Sequence, residues 1–322
     1  MAASLGVVLT QMGGPADLDQ VEPFIRSVFN DPAVVPLPGG PRVRRLVSSL
    51  VAKVRGRRVR ERYREIGGGS PIGRITAEQA VLVRDELLSR GYAAEVVVAL
   101  RYAQPDTAAA LSALSTAGVE RIVLLPLYPQ YSFATTGSSE AEVMRLTAGT
   151  GGPPVTAIRS WCEQPRYLDA LAGLVSEELE KLPRSRADRV ALVFSAHGLP
   201  ERLVRRGDPY PEEVQATVAG VLDRLAFAGE VRLGYQSRTG PVAWTGPGTD
   251  EVVEELGAAG VGAVVVIPVS FVSDHIETLH ELDIELRRAA LEAGITHFAR
   301  VPALNTRPEV GPLLAGVVEE AL

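Results

Sequence analysis

Short runs of Val, Leu and Ile recur along the chain and alternate with longer segments of helical periodicity. The runs are almost uniformly apolar, which is typical of parallel strands that are covered on both faces. The pattern therefore predicts an α/β fold built on doubly wound parallel sheets. The predicted strands lie at 6–9, 94–100, 122–127, 190–194, 231–234 and 263–269.

Several of these strands end on Gly, Pro, Ser or His. In open parallel sheets, ligands bind in the crevice beyond the carboxyl ends of the strands. A Gly-Gly-Pro-Pro run at 151–154 marks a boundary between two doubly wound halves, because similar numbers of strands are predicted on either side. The chemistry is therefore expected in five short stretches, at 12–15, 126–129, 195–198, 236–237 and 268–271.

The composition is that of a folded protein, since 46% of the 322 residues are hydrophobic and 22% are charged. The net charge of -6 argues against general nucleic-acid binding, which leaves a basic footprint. No basic leader precedes the first strand, and no apolar stretch is long enough to span a membrane. We therefore expect a soluble, cytoplasmic protein that binds at most to the surface of a membrane.

The chain has one cysteine, Cys162. One cysteine excludes a disulfide within the chain, and it excludes an iron–sulfur cluster held by the cysteines of one chain. It also fits a reducing compartment.

Residues 42–64 depart from the acidic average of the chain. A basic amphipathic helix is typical of a membrane-surface element, and an ordinary helix packed on the core fits the sequence equally well. The two interpretations are compatible if the helix also borders the active site. The apolar positions have helical spacing, at Val43, Leu46, Val47, Leu50, Val51 and Val54. The basic residues are Arg42, Arg44, Arg45, Lys53, Arg55, Arg57, Arg58, Arg60, Arg62 and Arg64.

His197 stands out among the four histidines because it follows the strand predicted at 190–194 and precedes a glycine. A neutral imidazole on such a loop can accept a proton near pH 7 or bind a metal. A structural histidine that is hydrogen-bonded to a neighbouring loop fits the position equally well.

A second polar cluster, at 273–283, follows the strand predicted at 263–269. Ser273 or Asp274 would make a good N-cap, and on an α-helix Asp274, Glu277 and Glu281 share one face. Such a row either handles cations or protons, or it is a solvated face that the helix dipole stabilises. Its place at the same sheet edge as His197 favours a functional role.

Histidine and carboxylates together suit Fe(II), Co(II) or Zn(II). The set is too sparse for a structural zinc site, and His275 and His280 lack the spacing of a metalloprotease helix. The residues therefore predict transient handling of a metal. Nucleotide binding and hydrolysis have little support, because no Walker A pattern, no Gly-x-Gly-x-x-Gly after the first strand and no Gly-x-Ser-x-Gly elbow occurs.

Nine short motifs, in order over nearly the whole chain, resemble those of the ferrochelatases. The pair formed by the motifs at 195–197 and 273–279 is the most specific. The motifs are QMGGP at 11–15, YREIGGGSPI at 63–72, RY at 101–102, YPQYS at 128–132, TTGSS at 135–139, SAH at 195–197, RGDPY at 206–210, QSRTGP at 236–241 and SDHIETL at 273–279.

This resemblance implies a lyase that inserts Fe(II) into a porphyrin in the terminal step of haem biosynthesis. It also implies two Rossmann-like domains with the porphyrin in the cleft between them. The C-terminal helix, at about 305–322, returns to the first domain, so that one domain spans 1–154 with this helix and the other spans 155–304.

The resemblance also assigns roles to single residues. His197 and Glu277 match the family's essential pair, which would hold the iron transiently, and Glu281 matches a position proposed to conduct protons or metal. Met12 matches the position where members acting on protoporphyrin commonly carry Met and those acting on coproporphyrin commonly carry Tyr, so protoporphyrin IX is favoured. Supporting roles fall to Asp274 and His275. Further contacts with the porphyrin fall to Arg55, Tyr63 and Ser70, and Tyr131 and Trp244 are candidates for its apolar surroundings.

The chain departs from some members of the family in two respects. A [2Fe–2S] cluster is not expected, because four cysteines would be needed, and Gly198 stands where other members have Ser. A monomer is favoured. The alternatives are a coproporphyrin III ferrochelatase, a chelatase for Co(II) or Ni(II), and a non-catalytic carrier of haem or porphyrin, which would have no use for the acidic row. A nucleotide-binding oxidoreductase is suggested by the fold alone.

Overall fold

The computed structural model describes residues 5–32, 34, 40–149, 151–183, 189–238, 240 and 242–322. The strands in these ranges are β1 (Leu5–Gln11), β2 (Ala94–Leu100), β3 (Arg121–Pro126), β4 (Val155–Ala157), β5 (Val190–His197), β6 (Glu230–Gln236), β7 (Ala263–Pro268) and β8 (His297–Arg300). The α-helices are α1 (Val21–Asn30), α2 (Gly40–Glu65), α3 (Ile72–Ser89), α4 (Thr107–Ala117), α5 (Thr136–Thr147), α6 (Pro165–Glu180), α7 (Glu201–Val204), α8 (Tyr210–Leu222), α9 (Thr249–Ala258), α10 (Arg287–Glu292) and α11 (Val310–Glu319). A short 3-10 helix spans Leu18–Gln20, and a π-helix spans Glu277–Leu286.

The strands form two parallel sheets, in the orders β2-β1-β3-β4 and β6-β5-β7-β8. The α/β fold with parallel sheets is confirmed, and all six predicted strands are present. The sequence does not predict β4 and β8. These strands are only three and four residues long and are largely not buried, so they lack the apolar run that marks the others.

The chain divides into two compact units. Unit 1 comprises Met1–Tyr128, Ser132–Arg159 and Asn305–Leu322, and unit 2 comprises Pro129–Tyr131 and Ser160–Leu304. The division after Arg159 lies five residues beyond the boundary that the Gly-Pro run predicts. The C-terminal helix α11 packs against α3 in unit 1, where a Cβ at Gly311 would lie 3.1 Å from the carbonyl oxygen of Leu82.

The core of unit 2 explains how the π-helix is held. Leu282 and Leu286 of the π-helix are buried in one cluster with residues of β5, β7 and α9. Burying a leucine side chain contributes about 1.5–3 kcal/mol, so these two residues fix one side of the π-helix against the sheet. In unit 1, a comparable cluster surrounds Val8 of β1 and Leu124 of β3.

The basic segment forms the single long helix α2, which packs on α1 through small residues. Ser48, Ala52 and Gly56 are buried, and a Cβ at Gly56 would lie 2.7 Å from Cγ of Glu22. The interpretation that the apolar stripe packs on the core is wrong for four of its six residues. These are exposed to 48% at Val43, 73% at Leu46, 61% at Leu50 and 72% at Val54. Among the helices that the structure describes, none is both long and apolar enough to cross a bilayer.

Candidate active site

His197 is the last residue of β5, a strand that is otherwise fully buried. Its backbone N–H donates to Oγ of Ser270 at 3.3 Å, and this hydroxyl is 2.7 Å from the buried hydroxyl of Tyr210. The backbone N–H at the end of β5 therefore has a hydrogen-bond acceptor in the segment that follows β7. His197 is the one residue of β5 that is not fully buried.

The strand order places this residue at a topological switch point. The chain passes from β5 to β6 on one side and then to β7 on the other, so the connections after β5 and β7 leave in opposite directions. Such a divergence opens a crevice at the carboxyl ends of the two strands, where α/β folds bind ligands. His197 and the residues after β7 lie at this crevice.

Phe271, in the segment that follows β7, contacts the imidazoles of two histidines. Its ring meets the ring of His197 edge-on at 6.1 Å between centroids, and it meets that of His275 at 4.4 Å. The aromatic ring therefore restricts the orientation of both. The sequence places Phe271 at a strand end, but it gives no signal for this role.

The acidic cluster forms a π-helix, and the α-helical expectation is wrong in three respects. The helix begins at Glu277 without a side-chain cap, so neither Ser273 nor Asp274 is its N-cap. The i→i+5 ladder of a π-helix is present, since the N–H of Arg287 bonds to the carbonyl oxygen of Leu282. Asp274 precedes the helix, so it does not share a helix face with the glutamates. Its carboxylate pairs with Arg300 at 2.9 Å.

His275 and Glu277 are placed to share a proton. The Nδ1 atom of His275 is 2.9 Å from the carbonyl oxygen of Ser273, which can only accept, so Nδ1 carries a hydrogen. In the neutral ring, Nε2 is then an acceptor. It lies 3.1 Å from Oε2 of Glu277, and a hydrogen bond there needs a proton on the carboxyl group.

Burial shifts the pKa values of His197, His275 and Glu277. Desolvation lowers the pKa of His275 to about 4, and it lowers the pKa of His197, an effect that the Glu277 carboxylate opposes in part. Desolvation also raises the pKa of Glu277, against the opposing effect of His197. His197 and Glu277 are thus close enough to affect each other's ionisation, and the site combines a neutral imidazole with a carboxyl group that holds a proton readily.

Glu281 is held by the two residues at the end of β6. Its Oε2 atom accepts hydrogen bonds from Oγ of Ser237 at 2.5 Å and from Nε2 of Gln236 at 3.3 Å. Gln236 also donates to the carbonyl oxygen of Glu277 at 3.0 Å and accepts from Oγ of Ser195 at 2.8 Å. The sequence places Gln236 and Ser237 in a motif at a strand end, but their role depends on contacts that only the structure shows.

Trp244 and Tyr131 also belong to unit 2. Trp244 pairs with Pro200, and a Cβ at Gly198 would lie 3.5 Å from the Trp244 ring and 2.8 Å from the carbonyl oxygen of Gln236. The glycine after His197 therefore allows a close approach of this loop. Tyr131 is partly buried, and its N–H donates to Oε2 of Glu213 at 2.7 Å.

The other predicted substrate contacts lie in unit 1. Met12 follows β1 at the switch point of that sheet, and its carbonyl oxygen accepts from the N–H of Tyr102. Ser70 is held beside the same loop, since its N–H donates to the carbonyl oxygen of Pro15 at 2.7 Å. On α2, Tyr63 is buried, whereas Arg55 is exposed and lies 5.6 Å from the centre of the Phe29 ring. Residues 239 and 241 of the QSRTGP motif lie outside the described residues.

In the part of the chain that the structure describes, no group of three or more His, Cys, Asp or Glu side chains is arranged to hold a metal ion. The sequence predicts His197 and Glu277 as ligands of a divalent cation at the crevice. Two ligands leave most of the coordination sphere of such an ion to water or to a substrate.

Comparison with known proteins gives a consistent result. A family model described as Ferrochelatase matches residues 4–322. A ferrochelatase of Synechococcus elongatus is 43% identical over 324 residues, covering 99% of this chain and 82% of the relative, and one of Trichodesmium erythraeum is 40% identical over 329 residues with the same coverage.

Two solved structures share the fold at low sequence identity. SirB from Bacillus subtilis, solved with Fe3+, has a TM-score of 0.56 at 14% identity and covers 76% of this chain and 88% of its own. The multi-domain protein DR2241 from Deinococcus radiodurans has a TM-score of 0.52 at 14% identity and covers 98% of this chain and 54% of its own.

Proposed function

Because the chain belongs to the ferrochelatase family, we propose that it inserts Fe(II) into protoporphyrin IX, with His197 as the group that accepts the pyrrole protons. Ferrochelatases are lyases that insert a metal into a porphyrin. The observation that carries the assignment of His197 is its position at the switch point of unit 2, beside Glu277 and with a lowered pKa.

Metal insertion requires two N–H protons to leave the porphyrin while one Fe(II) ion sheds its water. A flat macrocycle resists both steps, because its nitrogen atoms point inward within the plane. Binding the ring in a bent form exposes the lone pairs, and contacts elsewhere on the ligand supply the free energy for the distortion. A neutral imidazole next to the exposed nitrogens then accepts a proton.

The proton has a route away from His197 in unit 2. The carboxylate of Glu277 affects the pKa of His197, and its Oε2 atom lies 3.1 Å from Nε2 of His275. Glu281 follows one turn later on the π-helix and is fixed by Ser237. We assign Glu277 to assist His197, in proton acceptance or in contact with the metal, and Glu281 to pass charge outward.

The preference for protoporphyrin rests on Met12. An apolar thioether suits the vinyl-bearing edge of protoporphyrin better than the additional propionates of coproporphyrin, which are charged at neutral pH. We assign Arg55, which is exposed on α2, to pair with a propionate, because a guanidinium can form two parallel hydrogen bonds with a carboxylate.

An anaerobic assay with Fe(II) and either porphyrin tests the function. We expect a larger kcat/KM with protoporphyrin than with coproporphyrin III. The His197→Ala variant should lose at least about 100-fold in kcat, the contribution of a positioned acid–base group, while its dissociation constant for porphyrin changes little. Robust turnover by this variant would refute the assignment of His197.

Tight haem retention without insertion by the natural chain would instead identify a carrier. Faster insertion of Co(II) or Ni(II) than of Fe(II) would identify a different chelatase.

We also propose a cytoplasmic monomer without an iron–sulfur cluster that touches an anionic membrane surface through α2. The four exposed apolar side chains of α2 lie among basic residues, in a chain whose net charge is negative. An amphipathic helix of this composition binds at the boundary between headgroups and acyl chains.

A further inference from the structure

Arg300, the last residue of β8, holds two carboxylates of the segment 274–283, which contains His275, Glu277 and Glu281. Its Nε and Nη2 atoms donate to the two carboxylate oxygens of Asp283 at 2.8 Å each, and its Nη1 atom donates to Oδ1 of Asp274 at 2.9 Å. The side chain of Arg300 is 9% exposed and that of Asp274 is 14% exposed. The contact with Asp283 is the two-pronged geometry that a guanidinium forms with a carboxylate.

The two aspartates flank the proposed catalytic groups along the chain. Asp274 precedes the π-helix and is followed directly by His275, and Asp283 lies inside the helix, two residues after Glu281. β8 is itself hydrogen-bonded to β7 with Arg300 opposite Val266, so the guanidinium is fixed to the sheet from which the segment emerges. One side chain therefore connects the sheet to both ends of the stretch that holds His275, Glu277 and Glu281.

We propose that Arg300 is a positioning residue for the insertion reaction, which fixes the start of the π-helix and thereby the place of Glu277 and Glu281 at the crevice. The proposal rests on the proposed function of that site. No side-chain cap holds the beginning of the π-helix, so the ion pair of Arg300 with Asp274 acts there together with the hydrogen bond from Gln236 to the carbonyl oxygen of Glu277. Arg300 also neutralises two carboxylates next to Glu277 and Glu281, which reduces like-charge repulsion within the segment.

If Arg300 only stabilised the fold, its removal would lower kcat no more than the loss of stability explains. Arg300→Ala removes the positive charge that Asp274 and Asp283 pair with, and the loss of one partner of a buried ion pair is itself destabilising. The loss of rate therefore has to be compared with the loss of stability. A displacement of about 1 Å at a reacting group can cost about 100-fold in rate. Loss of Arg300 should therefore reduce kcat more than its effect on unfolding explains.

Arg287, the first residue of α10, offers a matched control because it also contacts the π-helix and β8. Its guanidinium bonds to the carbonyl oxygens of Asp283 and Phe298 at 3.1 and 3.0 Å and lies over the Phe298 ring. It thus connects the π-helix to β8 as Arg300 does, but through backbone atoms rather than through the carboxylates.

The experiment compares the full-length natural chain with Arg300→Ala, Arg300→Lys and Arg287→Ala. Insertion kcat, the porphyrin dissociation constant from fluorescence quenching and the midpoint of thermal unfolding are measured for each. We expect kcat to fall about 10- to 100-fold in Arg300→Ala, as for residues that orient a reacting group, with a porphyrin dissociation constant within about threefold of the natural one. Arg300→Lys should recover part of the loss, and methylguanidinium should raise kcat of Arg300→Ala without affecting Arg287→Ala.

The proposal is overturned if Arg300→Ala keeps its kcat, or if both alanine variants lose kcat and thermal stability alike and methylguanidinium rescues neither. If Arg300→Ala does not fold, Asp283→Asn takes its place: a fall in kcat with unchanged porphyrin binding supports the proposal, and an unchanged kcat overturns it. An inactive natural chain would contradict the proposed function instead, so the two failures are distinguishable.

Discussion

The ionisation of His197, His275 and Glu277 decides what the crevice of unit 2 can do. Desolvation favours the neutral form of each group, so the imidazoles lose their proton more easily and Glu277 keeps its proton more readily. A neutral His197 is ready to accept a proton before a substrate arrives. The side chain of Glu277 is 25% exposed, which is compatible with the role in removing that proton that we propose for it.

We expect the pKa of His197, measured by NMR titration of its imidazole, to lie below the ordinary value of 6.5. The Glu277→Gln variant should lower it further, because the carboxylate that partly opposes desolvation is lost. The chain has four histidines, so single replacements assign the signals. A pKa above 6.5, or one that rises in the variant, would contradict this account of the site.

His275 makes the folded chain sensitive to acid. Its pKa is about 4 in the folded state and 6.5 in the unfolded chain, so between these values the unfolded state binds the additional proton. Stability is therefore lost as the pH falls from about 6.5 to 4, by about 3 kcal/mol from this group. Urea unfolding across this range should show a shallower pH dependence for His275→Gln. The His297→Gln variant controls for the removal of a histidine elsewhere, and equal slopes in the natural chain and His275→Gln would show that another group is responsible.

At the scale of elements, the end of β6 determines the position of Glu281. Ser237 has a φ angle of 64°, in the left-handed region that non-glycine residues rarely adopt. The residue nevertheless donates a 2.5 Å hydrogen bond to Glu281. Ser237 thus has an unfavourable backbone conformation at the position from which its hydroxyl reaches Glu281.

The variants Ser237→Gly and Ser237→Ala separate these two effects. Both remove the hydroxyl, and we expect each to lose about tenfold in insertion kcat, since a hydrogen bond to a charged group contributes about 1.5–3 kcal/mol. Glycine adopts a positive φ without strain, so Ser237→Gly should unfold at a higher temperature than Ser237→Ala. Natural kcat values in both variants would show that the hydroxyl does not position Glu281.

Residues 273–286 also show which elements a sequence can predict. Apolar runs predict the buried strands, and the strand ends predict where His197 and the acidic cluster meet. The π-helix is not predictable in the same way, because ten residues with apolar spacing near four are compatible with either an α or a π ladder. The partner of Asp274 is 26 residues away in the sequence, at Arg300, and only the pairing of β8 with β7 brings it near.

At the scale of the whole molecule, the two sheets share a strand order but carry different residues at their switch points. In unit 2, the point between β5 and β7 has His197 and the segment with the glutamates. In unit 1, the point between β1 and β3 has Gln11 at the end of β1, Met12 directly after it, and Leu127 and Tyr128 after β3. The switch point of unit 2 therefore carries imidazole and carboxyl groups, whereas these four residues at the switch point of unit 1 have neither.

Charge is also unevenly distributed over the molecule. Ten of the lysines and arginines lie within residues 42–64, although the chain has a net charge of -6. The same helix exposes Leu46 and Leu50 on its surface. Basic side chains around exposed leucines are complementary to an anionic lipid surface, and electrostatic attraction would orient α2 towards it.

Vesicle sedimentation tests this orientation. We expect the chain to bind vesicles that contain phosphatidylglycerol more tightly than vesicles of phosphatidylcholine alone, and added salt should weaken binding because it screens the basic residues. Replacing Leu46 and Leu50 together by Ser should weaken binding at least about tenfold, since each buried leucine contributes about 1.5–3 kcal/mol. The matched control replaces Val81 and Leu88 of α3, which are exposed to 45% and 49% outside the basic segment, and it should bind like the natural chain. If the α2 variant binds vesicles normally but loses porphyrin, the exposed leucines serve the substrate and not a membrane.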